Sequence, residues 1–130
     1  MPEKILITDD EHYVLEATMR RLRNRGYDVA GVESGGEALE KITQEPFDLI
    51  LLDIKLPGMT GIELYKHMQK NEPSLAKKVV FVTGDVMGGD TRSFLSRTKA
   101  HYIVKPFSAA QLRKEVNGIL SAGEKAGMSN

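Results

Sequence analysis

The sequence predicts a single α/β domain: a five-stranded parallel sheet with helices on both faces. Three observations predict it. Short apolar runs rich in β-branched residues recur five times along 130 residues. Longer amphipathic segments alternate with them. Several runs, such as Leu49-Ile50-Leu51-Leu52, are apolar at every position, which suits strands covered on both faces. Repeated strand–helix alternation implies a parallel sheet joined by right-handed crossovers. The length suits one domain around one hydrophobic core.

The expected strands are Lys4 to Thr8, Asp28 to Val32, Asp48 to Leu52, Lys78 to Val82 and His101 to Val104. The first helix is expected between Glu11 and Arg25, where Val14, Leu15, Thr18, Met19 and Leu22 form a stripe and Gly26 supplies a stop. A second, Gly36 to Thr43, carries Ala38, Leu39 and Ile42 on one face. A third, Gly61 to Lys70, carries Ile62, Leu64, Tyr65 and Met68. Asp85 to Gly89 ends in two adjacent glycines, so the fourth helix reads firmly only over Asp90 to Arg97, and the segment before it is expected to be mobile. The fifth, Ser108 to Leu120, opens on a favourable N-cap. Residues 123–130 are small, polar and aperiodic, and read as a flexible tail or linker remnant after a domain spanning 1–122.

Composition removes several functions. Lys and Arg number 18, and so do Asp and Glu, which gives no basic excess for direct binding to nucleic acid or a membrane surface. With no cysteine there is no disulfide, thiolate metal site or thiol chemistry. The N-terminus has no signal-peptide pattern and no apolar run is long enough to span a membrane, so a cytoplasmic location is expected.

In open α/β sheets, ligands bind beyond the carboxyl ends of the strands. The first strand is followed by Asp9-Asp10-Glu11, the third by Asp53, the fourth by Thr83-Gly84 and the fifth by Lys105-Pro106. The fold thus delivers carboxylates, a hydroxyl and an ammonium to one edge. Two carboxylates ~4 Å apart repel by roughly 4 kcal/mol at an effective dielectric of ~20. Three in one cleft would raise one another's pKa values or need a cation. Oxygen donors without histidine or cysteine point to Mg²⁺ or a similar hard ion. A carboxylate can act as nucleophile in phosphoryl transfer. Positioning and countercharge carry most of that catalysis.

Each residue alone has a simpler explanation. Asp9-Asp10 would cap the first helix, Asp53 would be a turn residue, and Lys105 a solvated charge. Tyr102 would be a half-buried aromatic on an edge strand. The three histidines fall at unrelated positions and read as surface residues. Convergence on one edge is what separates a site from these isolated roles.

As an ordered set, Asp9-Asp10, Leu52-Asp53, Leu56-Pro57-Gly58-Met59-Thr60-Gly61, Val82-Thr83-Gly84, Tyr102 and Lys105-Pro106-Phe107 resemble the receiver domains of bacterial two-component signalling. The resemblance spans about Lys4 to Leu120 and implies a flavodoxin-like, doubly wound sheet of order 2-1-3-4-5. It implies that Asp53 is the phosphoacceptor. It implies that Asp10, Asp53 and the backbone carbonyl of Lys55 ligate Mg²⁺ or Mn²⁺, with Asp9 acting through water. Thr83 and Lys105 would grip the phosphoryl group, Tyr102 would switch rotamer, and Lys105-Pro106 would be cis. Lys55 and Asp85 stand where the family tunes phosphoryl lifetime. Being oppositely charged, they are expected to pair across the mouth of the site.

The implied partners are a histidine kinase or phosphotransfer protein and a downstream protein. The downstream protein would bind the face made by the fourth helix, fifth strand and fifth helix, and the resemblance leaves room for a homodimer. Self-modification with slow autodephosphorylation, not enzymatic turnover, is the expected chemistry. Two neighbouring readings are a pseudo-receiver that never takes phosphate and the receiver portion of a hybrid sensor kinase. The second is suggested by Val82-Thr83-Gly84-Asp85 and Gly89-Asp90-Thr91-Arg92. Lys55 argues against a haloacid-dehalogenase-like phosphatase, which needs an acid two residues past its nucleophile. Asp9-Asp10-Glu11 argues against a flavodoxin-type FMN carrier, because it would repel a phosphate.

Overall fold

Both faces of the central sheet are covered, and this is why its strands are apolar at consecutive positions. A computed structural model describes residues 2–84 and 88–128, with side chains through Ser121. The strands are β1 (Lys4–Thr8), β2 (Asp28–Val32), β3 (Leu49–Asp53), β4 (Val79–Thr83) and β5 (His101–Val104). All neighbouring pairs are parallel, in the order β2-β1-β3-β4-β5. The helices are α1 (His12–Arg23), α2 (Gly35–Gln44), α3 (Gly61–Asn71), α4 (Pro73–Ala76), α5 (Gly89–Thr98) and α6 (Ala109–Met128).

Successive strand residues serve opposite cores. Ile5, Ile7, Leu49, Leu51, Val80, Val82 and Ile103 pack against Leu15, Met19 and Leu22 of α1 and Leu112, Val116 and Ile119 of α6. Leu6, Ile50, Leu52, Val79 and Phe81 pack the other way, against α2, α3 and α5. There Tyr65, Phe81 and Phe94 meet edge-to-face with centroids 5.1, 5.2 and 5.7 Å apart, tying α3, β4 and α5 together. Such pairs add about 0.5–1.5 kcal/mol each beyond their burial.

Local chemistry sets the helix starts. Ser34 and Thr60 accept bonds from the backbone N–H groups of Glu37 and Glu63. Ser108 and Gln111 form a reciprocal box: the Gln111 N–H donates to the Ser108 hydroxyl and the Ser108 N–H to the Gln111 amide oxygen. Strands β3 and β4 lie one residue later than expected, so Asp53 and Thr83 are their last residues, and two larger features depart from the sequence pattern. The short helix α4 is one the pattern does not foretell; it has too few residues for any apolar period, and Pro73 at its first turn is its one local signal. Helix α6 passes its expected end at Leu120. Beyond the apolar stripe, Ala122, Glu124, Lys125 and Ala126 are good helix formers and carry the backbone on to Met128.

Candidate functional site

The register of the sheet brings the ends of β1, β3, β4 and β5 level. Asp53 pairs with Val82, and Thr83 with Val104, so Asp53, Thr83 and Lys105 emerge at one edge. Asp9 follows β1 there, and the Lys105 N–H donates to the Thr83 carbonyl at 2.8 Å. The Lys105–Pro106 bond is cis.

A half-buried ammonium joins two buried carboxylates at the centre of this edge. Lys105 Nζ lies 2.9 Å from Asp53 Oδ2 and 2.9 Å from Asp9 Oδ2, with Glu11 farther out at 3.9 Å. Asp9 and Asp53 are each 4 % exposed. The other oxygen of each carboxylate is also engaged: the Lys55 N–H donates to Asp53 Oδ1 at 3.0 Å and the Glu11 N–H to Asp9 Oδ1 at 2.9 Å. Asp10 is exposed, yet Asp9, Asp10 and Asp53 each offer an oxygen within 4.8 Å of the others. Helix capping does not explain the Asp pair: α1 begins at His12, with Glu11 as N-cap and no side-chain capping bond.

The electrostatics follow from three carboxylates sharing one ammonium. Burial pushes the Asp53 carboxyl above its ordinary range; the hydrogen bond and charge of Lys105 and the Lys55 N–H only partly oppose this, and Asp9 adds to it. For Lys105, burial disfavours the cation, but the hydrogen bonds and charges of Asp9 and Asp53 outweigh it, and the ammonium is held above its ordinary range. The ammonium gains from both carboxylates, while each carboxylate feels the others. An all-oxygen cluster with excess negative charge suits a hard divalent cation, and these residues fit one.

Asp53 has a support absent from the sequence reading. The Thr8 hydroxyl accepts the Asp53 N–H at 2.8 Å and donates to the Leu51 carbonyl at 3.1 Å. Thr8 is 1 % exposed and reaches across from β1, fixing the backbone that carries Asp53. Its one signal in the sequence is a hydroxyl residue closing an otherwise apolar buried strand.

Of the remaining expected residues, Thr83 is buried at the end of β4 and Lys55 is exposed beside Asp53. Asp85 lies outside the described residues. Tyr102 stands apart from the carboxylate cluster, 43 % exposed on the edge strand β5, and lines a groove with Arg92, Leu95 and Ser96 of α5.

Residues 5–117 match the family model described as the response regulator receiver domain. The chain belongs to that family. Among curated relatives, the alkaline phosphatase synthesis transcriptional regulatory protein PhoP of Bacillus subtilis (strain 168) is 34% identical over 130 residues, covering 100% of this chain and 53% of PhoP. The receiver domain thus spans about half the length of that regulator. Among solved structures, the CheY-like receiver domain protein of Methanospirillum hungatei JF-1 is 35% identical with a TM-score of 0.88, covering 97% of this chain and 99% of that one. The response regulator TrrA of Thermotoga maritima, solved in complex with Mg(2+)-BeF, is 33% identical with a TM-score of 0.79, covering 91% and 99%. The chain is a receiver domain of the two-component response regulators, a family of phosphoacceptor signalling modules. Among the described residues no helix is long and apolar enough to cross a membrane.

Proposed function

We propose that Asp53 takes a phosphoryl group from the phosphohistidine of a histidine kinase or phosphotransfer protein. The observation that carries this is the single ammonium of Lys105 bridging Asp9 and Asp53 at the carboxyl edge of the sheet. A carboxylate oxygen of Asp53 forms the new P–O bond as the P–N bond to the donor ring breaks. The donor leaves as neutral imidazole when its other nitrogen carries the proton. Lys105 compensates charge on the phosphoryl oxygens, and the Thr83 hydroxyl donates to one of them. Asp10, Asp53 and the Lys55 carbonyl would hold Mg²⁺ or Mn²⁺, with Asp9 assisting through water, and the bound cation would supply further positive charge to the transferred group.

The transferred group draws Thr83 and Lys105 inward, and Tyr102 changes rotamer with them. The face formed by α5, β5 and α6 then reads out the change to a downstream protein. Lys55 and Asp85 set the lifetime by hindering the hydrolytic water. The domain acts in the cytoplasm, with residues 123–130 as its tail or linker.

The test is incubation with acetyl phosphate and Mg²⁺, read by intact mass. One added phosphoryl group is expected, none with Asp53→Asn, and none with a chelator. Labelling that survives in Asp53→Asn sinks the assignment. Millimolar Mg²⁺ is also expected to raise the urea midpoint of the unmodified protein, because it relieves carboxylate repulsion in the folded state; an unchanged midpoint counts against the cation site.

Thr8→Val offers a second check. It keeps the side-chain shape but leaves the Asp53 N–H without its acceptor, at a cost of about 1–3 kcal/mol. The expected result is slower labelling of Asp53, with Thr8→Ser restoring most of both rate and stability. Equal rates for Thr8→Val and the parent would show that the hydroxyl does not position Asp53.

A further inference from the structure

A basic groove runs between α1 and α6. Arg21 and Arg25 line it from the end of α1 and just beyond, and Arg113 from α6, far away in sequence. Its cavity is about 170 Å³. Leu22 and Leu112, buried members of the core, also line it. The Tyr27 hydroxyl donates to the Asn117 side-chain oxygen at 3.0 Å, so the two helices' sides of the groove are tied together.

None of the ion pairs among the described residues involves Arg21, Arg25 or Arg113. Arg20 and Arg23 add to the same end of α1. A favourable interaction with the helix dipole accounts for cations in the last turn of α1. It does not account for Arg113, which sits in the second turn of α6, where the dipole offers a cation nothing. Three arginines from two separated segments therefore line one cavity, and none of them forms a described ion pair; the nearby Glu3 acts on Tyr27.

We propose that this groove docks an acidic segment of a partner protein, with carboxylates on Arg21, Arg25 and Arg113 and an aliphatic side chain over Leu22 and Leu112. Guanidinium forks match carboxylates two bonds at a time, and arginine is enriched at protein interfaces. Nucleic acid fits less well. The chain has no net basic excess, and the cavity has room for one or two side chains over an apolar floor.

The experiment titrates the full chain with the acidic peptide Glu-Glu-Leu-Glu-Glu near physiological salt, following the arginine Nε–Hε resonances by NMR. Parallel titrations use Lys-Lys-Leu-Lys-Lys, inorganic phosphate and a short single-stranded DNA. The acidic peptide is expected to shift Arg21, Arg25 and Arg113 saturably, and the basic peptide to shift none. Arg113→Ala and Arg25→Ala should each weaken binding about tenfold, while Arg20→Ala changes it less than twofold. All three variants should keep parental labelling by acetyl phosphate, which shows that they fold. The proposal is overturned if the acidic peptide shifts nothing, if Arg20→Ala weakens binding as much as Arg113→Ala, or if phosphate or DNA binds more tightly than the peptide.

Discussion

Gly61→Ala is expected to lower the stability of the domain by about 3 kcal/mol, at the upper end for an overpacked core, and to slow the proposed phosphoryl uptake at Asp53 about tenfold or more. A Cβ at Gly61 falls well inside van der Waals contact of the Asp53 carbonyl oxygen and 2.9 Å from the Ile54 Cα. Both are backbone atoms and cannot rotate away. The Gly61 N–H also donates to the Ile54 carbonyl at 2.9 Å, holding the start of α3 against the end of β3. Relief requires either α3 to retreat from its core contacts or the chain at Asp53 to shift. The second movement disturbs the contacts of the Asp53 carboxylate with Lys105 and Lys55. Urea unfolding and mass-resolved labelling check the two effects. Gly36→Ala is the control, because a Cβ there meets nothing within 4 Å. It is expected to be neutral or stabilising by about 0.5 kcal/mol, from helix propensity and a less flexible unfolded chain. Equal behaviour of the two variants would refute the steric account.

Lys105→Met is expected to destabilise the protein by about 3 kcal/mol at about pH 7.5 without divalent cations, because it leaves two buried carboxylates facing each other; this is the low end for breaking a buried pair, as Lys105 is only half-buried. The loss is expected to be smaller when the measurement is repeated at about pH 5, nearer the carboxylate range. In the parent, burial already holds Asp53 above its ordinary 3.8. A carboxylate with a raised folded pKa contributes stability that is present below its unfolded pKa and is lost as pH rises through the folded value. Removing Lys105 takes away the main opposing effect, so Asp53 rises further and its protonation relieves the repulsion progressively as the pH falls. The raised pKa of Lys105 itself lies above 10.5, so its own contribution is constant between those two conditions. Urea midpoints at both pH values with and without Mg²⁺ provide the measurement. A deficit that is the same at both pH values would count against carboxylate repulsion as its cause. Labelling by acetyl phosphate is expected to be nearly abolished in the same variant, since the proposed function gives the Lys105 ammonium the task of compensating charge on the phosphoryl oxygens.

The two glycine positions and Lys105 differ in how far the sequence announces them. Lys105 follows a strand and precedes a proline, and the strand-end rule for α/β sheets singles it out together with Asp9, Asp10, Asp53 and Thr83. Gly61 reads only as the start of a helix, because nothing local reveals that a carbonyl from β3 presses on it. Thr8 was likewise hidden: its two hydrogen-bond partners are 43 and 45 residues away. Tyr102 was legible as a strand residue, but its exposed place beside α5 depends on β5 being the edge of the sheet. Arg21, Arg25 and Arg113 look like ordinary solvated charges until α1 and α6 are laid side by side.

Residue order along the chain determined the strand–helix alternation, the burial of both sheet faces and the types of side chain delivered past each strand, because period and polarity are local properties that short segments express by themselves. Tertiary structure alone decided the 2.9 Å bridges of Lys105 to Asp9 and Asp53, the Thr8 clamp and the close approach of α3 to β3. Those depend on parallel register and helix packing, which set distances between atoms that are tens of residues apart and leave no periodic trace in either segment.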